Sequence, residues 1–322
     1  MKSALDVLLE GIRSGDRTAL AKAITLAESS LESDVFFTWQ LLARLSKYPS
    51  KALRIALTGP PGAGKSTLIN SLGNKFIEQG LKVAVITIDP SSQKTGGSIL
   101  ADKTRMHELS GKQEAFIRPS PSSGLYGGLS PGTRAATLLC EASGFDMVLI
   151  ETVGVGQSEV AVRELVDCVV LVLIPGSGDE LQGLKKGVME NADIILVNKA
   201  DGATQSLASK AVGVLNSVLK LTTPEEEQRK VTAIACSAET GLGINEILQE
   251  IASFFKWQEE TGLMKKNRTA QRDHFFEAMF LNEIQRRYLK SEEVKSLLNF
   301  VRKQMHDGNL NEYEALKEAL KN

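Results

Sequence analysis

Nine consecutive residues carry the first recognisable chemistry: Gly59-Pro60-Pro61-Gly62-Ala63-Gly64-Lys65-Ser66-Thr67. They follow the apolar run 53–57 and lead into a stretch with helical spacing, so GxxxxGK[ST] stands between a strand and a helix, the context in which such a loop cradles phosphates. Its glycines let backbone N–H groups curl around an anion, and the helix N-terminus adds partial positive charge. Lys65 would reach the β- and γ-phosphate oxygens, and the Ser66 hydroxyl would bind Mg²⁺. The expectation is a nucleoside triphosphate site.

A second loop selects the base. Asn198-Lys199-Ala200-Asp201 directly follows the apolar run 194–197. The Asp201 carboxylate can accept from guanine N1–H and its 2-amino group, donors that adenine lacks at those positions. Lys199 can lay its stem along the base, and Asn198 can tie this loop to the phosphate loop. Ser237-Ala238-Glu239, after the run 231–235, can supply a backbone N–H to guanine O6. These features indicate GTP over ATP.

Metal and water need acids. Asp89 ends the run 83–88, and Glu151 ends the run 147–150 as Glu151-Thr152-Val153-Gly154. Glu151 can hold Mg²⁺ through water while the Gly154 N–H meets the γ-phosphate. Asp102, after Thr95-Gly96-Gly97, can join the metal, and Gln157 can position water. Two segments read as switch loops that follow nucleotide state: 119–132, dense in Gly, Pro and Ser, and 175–186, where Gln182 and Lys185 would share a helical face. A P-loop kinase would share Lys65 and Ser66 without needing Asn198-Lys199-Ala200-Asp201. A metal-insertion GTPase would show His or Cys clusters, and the sequence has none.

The elements that must position these residues are legible in the hydrophobic pattern. Seven unalternating runs rich in Val, Ile and Leu (53–57, 83–88, 115–117, 147–150, 169–174, 194–197, 231–235) are separated by helical stretches. Such runs are strands buried on both faces, so the fold class is α/β, a mainly parallel doubly wound sheet flanked by helices. Right-handed crossovers bring the strand-end loops to one edge. Before the sheet, residues 1–50 read as a helical extension broken at Gly15-Asp16. The nucleotide domain spans 51–257, and 258–322 forms a helical arm.

Of 322 residues, 42% are hydrophobic and 24% charged, with 38 Lys plus Arg against 39 Asp plus Glu, so the basic excess of a nucleic-acid binder is missing. Three scattered cysteines without CxxC spacing read as reduced core thiols. Early acids argue against a signal peptide, and no apolar run is long enough to span a bilayer. A soluble cytoplasmic protein is expected.

The set GPPGAGKST, IDPSS, TGGSILADKTRM, FIRPSPSSG, ETVGVGQSE, PGSGDELQGLKKG and NKADG resembles the MeaB/ArgK/MMAA family of P-loop GTPases over almost the whole chain. The resemblance implies a GTP-hydrolysing chaperone that gates adenosylcobalamin loading and protects an acyl-CoA mutase, chiefly methylmalonyl-CoA mutase. It implies Mg²⁺ held by Ser66, Asp89, Asp102 and Glu151, and a third switch in which Asp179, Gln182 and Lys185 communicate with the mutase. It also implies a dimerisation arm at the C-terminal end and a homodimer. Two departures stand out: Ala101 replaces the family's usual Gly, and residues 125–131 diverge. The chain has no Asp-x-His-x-x-Gly, so cobalamin is expected on the partner. No glutamine directly follows Gly154, so intrinsic hydrolysis is expected to be slow.

Base choice gives the first test. Asp201→Asn should weaken GTP by roughly 2–5 kcal/mol and improve xanthosine triphosphate, whose 2-oxo group pairs with an amide. Calorimetric titration of the four nucleotides GTP, ATP, ITP and XTP checks this; equal affinity of the unaltered chain for ATP and GTP would contradict the assignment.

Overall fold

A computed structural model describes residues 3–89, 106–121, 130–152, 161–176, 189, 191–222 and 229–320. Three helices come first: α1 (Ala4–Arg13), α2 (Arg17–Ala27) and α3 (Glu32–Leu45). Ser3 and Asp6 form a reciprocal capping box at α1, and Asp16 caps α2 by accepting from Thr18 N–H at 2.8 Å. These caps satisfy donors that a helix start leaves unpaired. Then follow β1 (Leu53–Thr58), α4 (Lys65–Glu78), β2 (Val83–Asp89), α5 (His107–Ser110), β3 (Ala115–Pro121), α6 (Pro131–Ala142), β4 (Met147–Glu151), β5 (Cys168–Leu173) and β6 (Ile194–Val197). The remainder is α7 (Gln205–Thr222), β7 (Ala233–Ala235), α8 (Ile244–Glu260), α9 (Leu263–Lys290), α10 (Glu292–His306) and α11 (Glu312–Ala319).

The seven strands form one sheet in the order β3-β2-β4-β1-β5-β6-β7, and every described pairing is parallel. β1 lies between β4 and β5, so the connections diverge to opposite sides there. That divergence opens a crevice at the carboxyl end of β1, where ligands bind in open α/β sheets. Alternate residues divide between the faces. Ile55, Leu57, Leu149 and Val170 join α4, α5 and α8 in one core. Ala56, Ala84, Ile86, Val148 and Ile150 join α6 and helices α1–α3 in another. Farther along the sheet, Leu171, Leu173, Ile195 and Val197 pack on Ala208, Ala211 and Leu215 of α7.

The segment 119–132, expected to be a loop, begins and ends in regular structure. β3 continues through Pro119, paired with Thr87, to Pro121, paired with Asp89. Prolines are tolerated because β3 is an edge strand with a neighbour on one side only. At the other end, Ser130 caps α6, accepting from Thr133 N–H at 3.0 Å, with Pro131 at the first helical position. α6 is buried nearly all round because the sheet lies on one side and the N-terminal helices on the other. Arg118 on β3 pairs with Glu28, and Arg17 donates to the carbonyl of Gln113 at 3.2 Å, so the extension is fastened to the sheet edge.

The amino end of the sheet is closed by a repeated device. An aspartate stands immediately before β4, β5 and β6, and each accepts a backbone N–H from a neighbouring strand or from the residue just before it. Asp146 takes Lys82 N–H at 2.8 Å, Asp167 takes Arg54 N–H at 2.9 Å, and Asp193 takes Val169 N–H at 2.8 Å. Parallel strands leave such donors without ladder partners, and those of Arg54 and Val169 are buried and need acceptors. Arg268 then grips Asp167 through two bonds of 2.7 and 2.6 Å and also donates to Ala52 O at 2.7 Å. Arg54 itself forms a buried two-point pair with Glu141 of α6. Burial is the main influence on Asp193 and holds its carboxyl above the usual range despite the Arg163 guanidinium beside it.

One compact unit ends at Arg268, and a second begins at Thr269 with the later part of α9, α10 and α11. In the second unit Val294, Val301 and Ala315 are buried, while Phe276, Phe280, Ile284 and Tyr288, at four-residue spacing on α9, are about half exposed or more. Among the described residues no helix is long and apolar enough to cross a membrane.

Removing the Asp167 carboxylate leaves Arg268 and the Arg54 N–H without that acceptor. Asp167→Ala should therefore cost about 3–5 kcal/mol in urea unfolding. An unchanged midpoint would show that this clasp carries no stability.

Candidate active site

At the carboxyl end of β1 the backbone turns at Gly59 with φ +138°, where any Cβ would run into the Val172 carbonyl of β5. The loop therefore crosses close over the neighbouring strand. It ends at Gly64, φ +84°, the residue before α4, where a Cβ would collide with the Asn198 carboxamide. Both positions require glycine for conformation and for space. Between them lie Pro60, Pro61, Gly62 and the fully buried Ala63. α4 starts without a side-chain cap, so its first N–H groups and its dipole are left to the loop's concavity. Lys65 Nζ donates to Gly59 O at 2.7 Å and Pro60 O at 3.1 Å, holding its ammonium against the loop. Ser66 and Thr67 continue the first turn of α4.

The acid beside this loop is Glu151. Register places it opposite Leu57 on β1 and Thr87 on β2. Ser66 Oγ donates to Glu151 Oε1 at 2.6 Å, bringing together a hydroxyl and a carboxylate that lie 85 positions apart. Thr152 extends the β1–β4 junction, its N–H donating to Leu57 O at 3.1 Å and its hydroxyl to Thr58 Oγ1 at 2.9 Å. Asp89, last residue of β2, stands at the same edge. This donor set is hydroxyl and carboxylate oxygen, the chemistry of a hard cation such as Mg²⁺. No group of three or more His, Cys, Asp or Glu suited to a metal ion occurs among the described residues.

On the other side of β1, one carboxamide joins the remaining loops. Asn198, 2% exposed, donates from Nδ2 to Ala63 O at 2.8 Å, and its Oδ1 accepts Ala238 N–H at 3.0 Å. The Cys236 thiol lies 3.8 Å from the same Oδ1, and burial pushes it up to about 12. Lys199 follows with φ +61°, the one non-glycine residue in the left-handed region among those described. Such backbone is costly for a lysine and persists where surroundings impose it. Here Thr204 Oγ1 donates to Lys199 O at 2.5 Å and Asp201 O at 2.8 Å, and Ala200 N–H donates to Cys236 O at 2.9 Å. Asp201 leads the short turn Gly202–Thr204 into α7.

The 237–239 loop is equally built. Ser237 is fully buried, donating its N–H to Leu242 O at 2.9 Å and accepting Thr240 N–H on Oγ at 3.1 Å. Ala238 is buried and Glu239 exposed. Ser71, on the second turn of α4, donates to Ala238 O at 2.9 Å. Nothing in the sequence singles out Ser71, because a serine in a helix reads as a solvated position until the partner loop is known. Asp102, Gly154, Gln157, Asp179, Gln182 and Lys185 lie outside the described residues, as do Ala101 and residues 125–129.

A family model described as "Methylmalonyl Co-A mutase-associated GTPase MeaB" matches residues 20–293. "GTPase ArgK" of Escherichia coli (strain K12) is 45% identical over 260 residues, 81% of this chain and 78% of ArgK. "Methylmalonic aciduria type A homolog, mitochondrial" of Mus musculus is 42% identical over 277 residues, 83% of this chain and 67% of that protein. The crystal structure of "LAO/AO transport system kinase" is similar across 99% of this chain and 98% of its own, with a TM-score of 0.76 and 32% identity.

Lys65→Ala and Ser66→Ala each remove a group at the mouth of the loop. Each should lower Mg²⁺-dependent phosphate release from GTP by about 100-fold or more. Turnover near the unaltered rate in both variants would place the reaction elsewhere.

Proposed function

We propose, from the premise that this chain belongs to the MeaB family of GTPases, that it is the nucleotide-driven chaperone of an adenosylcobalamin-dependent acyl-CoA mutase such as methylmalonyl-CoA mutase. The observation that carries the nucleotide half is the convergence of Lys65, Ser66 and Glu151 on one side of β1 with Asn198 and the Ala238 peptide on the other. The mutase half rests on the family's description and on the methylmalonic aciduria relatives.

In this reading the loop 59–64 and the first N–H groups of α4 surround the phosphates, and Lys65 exchanges its carbonyl partners for β- and γ-phosphate oxygens. The exchange is inexpensive because the ammonium already sits against the loop. Ser66, Glu151 and Asp89, with Asp102, hold Mg²⁺. Bound there, the ion would supply positive charge to the phosphate oxygens. Gly154, through its N–H, would meet the γ-phosphate, and Gln157 would order water. Asp201 accepts from guanine N1–H and the 2-amino group, Lys199 covers the base, and the 237–239 loop meets O6. Cobalamin belongs to the mutase.

The dimer and the compartment have support of their own. The half-exposed apolar row Phe276, Phe280, Ile284 and Tyr288 suits α9 to pairing with a second copy, which supports a homodimer. Three unpaired thiols, Cys140, Cys168 and Cys236, support the cytoplasm as its compartment. The kinase named for the similar crystal structure would use the same phosphate loop; a base loop built around Asn198 and Asp201 favours guanine-nucleotide hydrolysis instead.

Phosphate release measured with and without saturating mutase tests the coupling. The mutase should accelerate release, and Gln182→Ala and Lys185→Ala should blunt the acceleration while leaving basal release and GDP affinity nearly unchanged. Equal loss of basal and stimulated rates would make these ordinary active-site residues. No acceleration of the unaltered chain by any acyl-CoA mutase would remove the chaperone reading and leave the GTPase.

A further inference from the structure

The two peptide planes around Ala238 are held from opposite sides. The 237–238 plane is fixed where Ala238 N–H donates to Asn198 Oδ1 at 3.0 Å. The 238–239 plane is fixed where Ala238 O accepts the Ser71 hydroxyl at 2.9 Å. A trans peptide is planar, with its C=O and N–H antiparallel. The carbonyl of the second plane points to α4, so its N–H, that of Glu239, points away from α4. The Ala238 N–H is turned inward to Asn198, which leaves the Glu239 N–H as the donor this loop presents outward, and Glu239 is exposed.

We propose that Ser71 is a positioning residue for base recognition: by fixing the 238–239 peptide it aims the Glu239 N–H at the O6 of guanine. This rests on the proposed meeting of the 237–239 loop with O6. Ser71 lies six positions after Lys65 on the same helix, so α4 sets both the phosphate end of the site and the direction of the donor at its base end. Serine is well matched to this role, since its short side chain delivers one O–H to a carbonyl with few rotamers to lose. In this role the hydroxyl acts through the peptide it holds, by its bond to Ala238 O.

The consequence is a selectivity change confined to one edge of the base. In 6-thio-GTP the oxygen at position 6 becomes a sulfur, a poor acceptor, while N1–H and the 2-amino group remain. ITP lacks only the 2-amino group, which faces Asp201. Affinities of the full chain for GTP, 6-thio-GTP and ITP, with Mg²⁺, read the two edges separately. The unaltered protein should prefer GTP over 6-thio-GTP by about tenfold. Ser71→Ala should reduce that preference to about threefold or less while the GTP-to-ITP ratio stays as it was, and Ser71→Thr, which retains the hydroxyl, should restore it. Cooperative thermal unfolding checks each variant, and Ser71→Cys, close in size and a weak donor, carries the same expectation if the alanine variant does not fold. An unchanged GTP-to-6-thio-GTP preference in Ser71→Ala overturns the role of Ser71 and leaves the loop reading standing. Proportionate loss of both ratios also overturns it, since that is general loosening. An unaltered protein indifferent to the sulfur overturns the loop reading itself, and the positioning role with it.

Discussion

The Asn198 carboxamide is shared by segments that chain order keeps far apart. Its amide nitrogen reaches Ala63, 135 positions away, and its oxygen takes the N–H of Ala238, 40 positions away. Each bond contributes about 0.5–1.5 kcal/mol net, yet a buried group left without its partner costs about 1–3 kcal/mol, so the arrangement is nearly all-or-none. Three loops are thereby registered by one side chain: the phosphate loop, the base loop that Asn198 itself begins, and the 237–239 loop. The strained backbone at Lys199 and the glycine at Gly64 both follow from how closely these loops approach one another. A triphosphate and a purine are joined at a fixed distance, and a site that must recognise both needs its two halves at a fixed distance too.

That registration works because the sheet beneath it is rigid. A central parallel sheet buried on both faces sends every strand-end loop to one edge and leaves the opposite edge with unpaired donors. The aspartates before β4, β5 and β6 supply the missing acceptors, and Arg268, Arg163 and Arg54 neutralise or flank the buried charge. One edge is sealed by charge and the other is left open for ligand. The N-terminal helices thicken the support by covering α6, which orders the sheet's second face.

Much of this was legible in residue order. The seven apolar runs correspond to seven strands because strands buried on both faces must be continuously apolar, and the glycines of 59–64 mark a backbone that other residues cannot follow. Local pattern fell short where a distant neighbour decides. Pro119 and Pro121 read as loop, and only the edge position of β3 makes them strand. The Arg54–Glu141 pair is separated by 87 positions and looks in sequence like two surface charges. Ser71 gave no signal for the same reason. The left-handed backbone of Lys199 is likewise imposed by Thr204 and by the bond from Ala200 N–H to Cys236 O, with no glycine to announce it.

The central claim is that Asn198 makes the phosphate and base halves one site, and a double-mutant cycle on GTP affinity tests it most directly. If Asn198 sets the base loop, Asp201→Asn should cost much less in an Asn198→Ala background than in the unaltered chain, giving a coupling of about 1 kcal/mol or more. Additive losses, in variants that each unfold cooperatively, would contradict the account and show that the two halves recognise GTP independently.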